Sequence, residues 1–136
     1  MYGVISKCKQ HNLSMDCQKD LFDRIVQPVL LYGCEIWGFT KNTLIEKLHL
    51  KYCKYILGLN TKTPNYMVYG ELGRFPLIIN IKVRMISFWA KLHFSQTMDK
   101  FATKMYVLAS RHNLPWVNYV KNILDDCGLS YLWTTQ

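Results

Sequence analysis

Lysines recur at positions 47, 51 and 54, and Asn80, Arg84, Ser87 and Lys91 repeat at similar helical steps further along the chain. On a helix each set falls on one face, and the second forms a polar line about 16 Å long at 1.5 Å per residue. Cationic rows of this kind suit the sugar–phosphate backbone of a nucleic acid, where contacts ignore sequence and weaken steeply with salt. Lys62 and Arg74 lie near the intervening turns and extend the candidate footprint. The plainer alternative is a pair of solvated helix faces whose lysine stems cover apolar surface.

Two other arrangements could carry chemistry. Asp125 and Asp126 are adjacent, and paired carboxylates are how polymerases and nucleases hold two metal ions. They fall in the last turn before Gly128, however, where successive side chains diverge by about a hundred degrees. Negative charge is also poorly placed at that end of a helix, so the pair reads as a solvated helix end. Cys8 and His11, followed by Cys17, open a possible zinc site. A closed zinc site needs four ligands, and Cys34, Cys53, His49, His93, His112 and Cys127 supply no second close-spaced pair; buried thiols are the alternative. No serine or cysteine stands in a nucleophile motif and no glycine-rich phosphate loop is present. No catalytic residue, metal or cofactor is therefore assigned.

The chain has 136 residues, half of them apolar, which fits one domain with one core. Its longest apolar runs are a handful of residues, short of the ~20 needed to span a bilayer, so no membrane partner is expected. The first residues lack the long apolar stretch of a secretory signal, which leads to the expectation of an intracellular protein. Five scattered cysteines fit reduced core thiols better than a disulfide framework. With 17 Lys and Arg against 9 Asp and Glu, the net charge of +8 points to a polyanionic partner or to a domain that is merely basic.

The elements that must position these residues read as helices throughout, giving an all-α domain of six or seven helices over residues 1–136. Residues 1–38 form kinked N-terminal helices. A short one ends near His11–Asn12, and a second is capped by Ser14 with Asp16 in its first turn and Leu21, Ile25, Val29 and Tyr32 on its apolar face. Pro28 should bend or break it between Arg24 and Pro28. Residues 43–94 form a central unit with a helix-turn-helix outline. Thr43 and Glu46 have capping-box spacing, Leu44, Leu48, Tyr52 and Ile56 form the apolar stripe, and Gly58 closes the helix. After Thr63–Pro64 a short helix runs to Gly73. Pro76 then opens a long one, apolar round most of its circumference and so expected to be enclosed. Leu77, Ile78 and Ile79 hold the position where a base-reading helix would carry Arg, Asn or Gln, which argues against base-specific readout. Residues 97–133 form a C-terminal pair. Thr97 and Asp99 start the first, with Met98, Phe101, Ala102, Met105, Leu108 and Ala109 as its buried face. Trp116, Val120, Ile123, Leu124 and Cys127 mark the second, and Tyr131–Leu132–Trp133 folds back.

Three segments together resemble a known family. They are Leu30-Leu31-Tyr32-Gly33-Cys34-Glu35-Ile36-Trp37-Gly38, Ile56-Leu57-Gly58 before Thr63-Pro64-Asn65, and Val68-Tyr69-Gly70-Glu71-Leu72-Gly73-Arg74-Phe75-Pro76-Leu77. They look like the region downstream of the polymerase core in reverse transcriptases of LINE-type non-LTR retrotransposons. The match is densest from about Phe22 to Trp89. The resemblance implies a helical thumb and post-thumb segment that grips an RNA template and DNA primer, so that its partners are an RNA–DNA or other duplex backbone and a polymerase core. The family's catalytic carboxylates lie in a palm segment with an aromatic-x-Asp-Asp motif, which this chain lacks, since Asp125 and Asp126 follow Leu124 and do not match it, so this chain alone is not expected to be an enzyme. The resemblance also leaves open a structural module that packs on such a core, or a remnant without a function of its own.

Overall fold

The hydroxyl of Ser14 accepts the Cys17 N–H at 3.4 Å and caps helix α1, Met15–Leu21, with Asp16 in its first turn. A computed structural model of the protein describes residues 13–40, 43–94 and 101–133, together with Gly3, Ser6 and His11. It is all-α, with no strand among the described residues. Most of the helix expected over residues 1–11, and the Thr97–Asp99 helix start, lie outside the described residues.

Pro28 has no N–H to donate, and its ring crowds the carbonyl one turn back. The chain accommodates it with a π turn over Phe22–Val26, closed by the Gln27 N–H on the Phe22 carbonyl. Pro28 then falls in the first turn of α2, Gln27–Leu30, where a missing donor costs nothing. The expected distortion is thus present, but the buried face is not the one expected. Phe22 and Val26 go inside, while Ile25, Val29 and Tyr32, read from the sequence as the apolar face, are exposed, Val29 at 75% and Tyr32 at 85%. Gly33 is left-handed, at φ 68°, and leads into the short helix α3, Cys34–Trp37.

Packing divides the chain into two compact units, Met1–Tyr32 with Asn42–Ile78, and Gly33–Lys41 with Ile79–Gln136. In the first, α4 (Thr43–Ile56) buries His49, Tyr52 and Cys53. Phe22, Val26, Tyr52 and Leu77 form one buried cluster, with Leu30, Ile45 and Ile56 against it. Cys53, Val68 and Leu72 form another, which brings in α5, Asn65–Leu72. Leu44, expected in the α4 stripe, is exposed; the buried stripe is one residue further round, through Ile45, His49 and Tyr52. The Tyr52 hydroxyl donates to the Gln18 carbonyl at 2.8 Å and ties α1 to α4. Gly73, at φ 61°, ends α5 in a left-handed turn that a side chain would strain.

Helix α6, Leu77–His93, begins in the first unit and runs into the second. Leu77, Ile81, Met85 and Trp89 are buried at steps of four, while Ile79 and Val83 are exposed. The helix is therefore buried along one stripe rather than enclosed.

The second unit adds α7 (Phe101–Arg111), α8 (Pro115–Asp126) and a 3-10 turn over Ser130–Trp133. α8 buries Val117, Val120, Ile123 and Leu124. The tail folds back as the sequence suggests: Trp133 stacks on Trp89 at 5.5 Å between ring centroids, and the Lys121 ammonium lies over its ring. α7 reverses expectation. Its buried residues are Thr103 and Tyr106, whereas Phe101, Ala102, Met105 and Leu108 are exposed. The reason is polar: the Tyr106 hydroxyl accepts the Trp89 indole N–H at 3.2 Å and bonds the His93 ring at 3.0 Å, so that side of α7 must face inward.

Candidate nucleic-acid interface

Lys47, Lys51 and Lys54 open onto one hollow of about 550 Å³, completed by Leu50, Tyr55, Leu59, Thr61 and Asn65. The three- and four-residue steps put the ammonium groups on one side of α4. Gly58, left-handed at φ 63°, turns the chain, and Leu59 and Thr61 beyond it join the lining. The turn is fixed by the Asn60 side-chain oxygen, which accepts the Lys62 N–H at 3.0 Å and the Thr61 hydroxyl at 3.2 Å. Lys54 donates to the Thr61 carbonyl at 2.7 Å, and an ammonium keeps two further donors. The Lys62 side chain is exposed on the same turn.

Arg74 belongs elsewhere. Its guanidinium donates to Asp23 at 2.8 Å and to the Lys19 carbonyl at 3.3 Å, and it lies over the Phe22 ring. With its side chain only 13% exposed, it fastens the turn after α5 onto the N-terminal helix instead of facing a ligand. Nothing in the spacing of basic residues shows this, because the partner acid is 51 positions away.

In the second unit Arg84, Ser87 and Lys91 line a hollow of about 330 Å³ with Glu35, Ile36 and Phe88. Three members of the predicted polar line thus share one concavity; Asn80, the fourth, is exposed. Glu35 approaches Arg84 to 3.9 Å and offsets part of its charge. Burial, and then Glu35, push the neighbouring Cys34 thiol up, against Arg84, which draws it down. Each basic set is gathered within its own unit, Lys47, Lys51, Lys54 and Lys62 in the first and Arg84 and Lys91 in the second.

A polar cluster not expected from the sequence joins three elements of the first unit. One Glu46 oxygen accepts the Leu77 N–H at 2.9 Å, at the first residue of α6. The other accepts the Tyr69 hydroxyl and faces the His49 ring nitrogen at 3.4 Å. Capping-box spacing directs this carboxylate back to its own helix; instead it caps another. Burial raises the Glu46 carboxyl, but the bonds from His49 and Tyr69, the His49 charge and the Leu77 N–H outweigh burial and hold it below its ordinary value. Burial, and then the hydrogen bond to Glu46 and its charge, push the Tyr69 phenol far up. His49 itself is buried, with its ring stacked on Phe22 at 5.2 Å.

Among the described residues no three His, Cys, Asp or Glu side chains converge as metal ligands. Asp125 and Asp126 are exposed. Cys34 and Cys53 are buried, and burial pushes the Cys53 thiol to about 11, but Cys17 and Cys127 are exposed, so only part of the set are core thiols. Cys8 lies outside the described residues. No described helix is long and apolar enough to cross a membrane.

The fold is all-α, and Lys47, Lys51 and Lys54 line one surface hollow while Arg84 and Lys91 line another. No protein-family model, curated protein or solved structure matches the chain.

Proposed function

We propose that this chain is a non-catalytic segment that grips a nucleic-acid backbone, of the kind that follows the polymerase core in non-LTR retrotransposon reverse transcriptases. The reading rests on one observation above the others: Lys47, Lys51 and Lys54 face a single open hollow of about 550 Å³. Lys62 adds charge on the adjoining turn, and Arg84 and Lys91 supply a second basic surface. Arg74 is left out, since its charge is spent on Asp23. An RNA–DNA hybrid or another duplex is the ligand class, and recognition is through phosphates.

Titration of the full chain with a fluorescent RNA–DNA hybrid at increasing salt tests this. If the α4 lysines engage roughly three phosphates, log K falls against log salt with a slope of about −2 to −3 from them alone. Replacing Lys47 and Lys51 together by Glu should weaken binding at low salt and flatten that slope. Binding that ignores salt, or that survives the double replacement unchanged, overturns the proposal.

A further inference from the structure

The misplaced face of α7 is the floor of an open groove of about 500 Å³ in the second unit, whose walls include Phe39, Phe88, Phe101, Met105, Leu108 and Trp116. Phe101 is 78% exposed, and Phe39, Met105 and Leu108 are exposed with it. An apolar concavity of this size is what ligands and partner side chains fill.

The chemistry of its walls restricts the occupant. The Tyr106 hydroxyl at its base is engaged by Trp89 and His93, and the Trp116 indole N–H is donated to the Glu35 carbonyl at 2.7 Å. Besides these the lining offers one further polar side chain, His112, too little to hydrogen-bond the edges of a nucleobase or the main chain of an extended peptide, so either would enter with polar groups unsatisfied. A helix brings its backbone already paired and presents only side chains.

The rim then selects charge. The groove shares Ile36 and Phe88 with the hollow that holds Arg84 and Lys91. Lys104 and Arg111, seven residues apart on α7 and both exposed, run along one margin of the apolar face. α7 carries no acid, and Glu35 is the acidic side chain lining the adjoining hollow.

We infer that this groove docks an amphipathic helix of another protein, with large apolar side chains along one face and Asp or Glu flanking them. The docked helix places its apolar stripe between α7 and the Phe88–Trp116 pair and its carboxylates against Lys91, Lys104 and Arg111. The inference does not depend on nucleic-acid binding, whose principal determinants are on α4.

The test uses the full chain and two synthetic helical peptides with the same Leu and Phe stripe, one flanked by Glu and the other by Lys, each followed by fluorescence anisotropy. The Glu-flanked peptide is expected to bind at least tenfold more tightly. Phe101→Ser and Met105→Glu, at exposed positions, should each reduce its binding at least fivefold with the circular dichroism spectrum unchanged. Lys104→Glu with Arg111→Glu should narrow the preference, and Lys47→Glu with Lys51→Glu should leave it intact. Equal binding of the two peptides, or indifference to the groove variants in folded protein, overturns the inference. So does displacement of the peptide by a single-stranded oligonucleotide, or self-association of the chain that Met105→Glu abolishes.

Discussion

The Glu46 carboxylate accepts the N–H of Leu77 at 2.9 Å, so a side chain from the middle of the first unit caps a helix that begins 31 residues later. Its other oxygen takes the Tyr69 hydroxyl, and a single group thereby fixes α4, α5 and the start of α6. Removing it leaves a helix-terminal donor and a half-buried phenol without their acceptor. Glu46→Ala is expected to lower stability by about 2 kcal/mol, and Glu46→Gln by less, since the amide retains an acceptor but not the charge. Urea unfolding followed by circular dichroism measures both.

The same group gives stability an acid dependence of known sign. Its folded-state carboxyl lies below the ordinary value, so its contribution is complete above the unfolded-state value of about 4.3 and is lost as the pH falls through that value and lower. The wild-type chain should lose stability between about pH 5 and pH 3 more steeply than Glu46→Gln. Denaturant midpoints at half-unit pH intervals compare the two; parallel curves would show that the carboxylate is not the group responsible.

Gly38 marks a close approach within the second unit. A Cβ built there would stand 2.5 Å from both the Cys34 carbonyl and the Ile81 side chain, and 2.8 Å from the Met85 sulfur. All three neighbours are buried, and one contact is to backbone, so moving the Met85 side chain alone cannot relieve the overlap. Gly38→Ala should destabilise by about 1–3 kcal/mol, the range for overpacking, and thermal unfolding reads it directly.

Arg74 separates stability from binding. Arg74→Ala should cost about 1–2 kcal/mol through loss of the Asp23 pair and of the contact over Phe22. Lysine should not restore it, because one ammonium cannot span a carboxylate, a carbonyl and a ring as the planar guanidinium does. The salt slope for an RNA–DNA hybrid should stay at the wild-type value, in contrast to the α4 lysines.

The amino-acid sequence reports well what depends on near neighbours. Ser14, Gly33, Gly58, Gly73 and Pro28 each act within a turn of where they stand, and the lysines of α4 share a face because their spacing requires it. It reports poorly which of two apolar faces is buried. On α7 both Phe101–Met105–Leu108 and the side carrying Tyr106 offer a helical stripe, and the choice is made by the Trp89 indole and the His93 ring. Arg74 and Glu46 show the same limit for charge, since each finds its partner far along the chain. In the block Val68 to Leu77, Tyr69, Arg74 and Leu77 are engaged in these internal bonds, so part of its pattern reflects how the first unit is held together.

The π turn over Phe22–Val26 has a consequence for how the N-terminal rod tolerates change in length. It stores one residue more than an α-helical path needs, so excision of one amino acid between 22 and 26 can be absorbed by reverting to ordinary winding. The segment after it would then keep its orientation, with Val29 still in water. A deletion at this one place would therefore spare both the helix and the division between its wet and dry sides, whereas the same deletion in α4 would turn everything beyond it by about a hundred degrees.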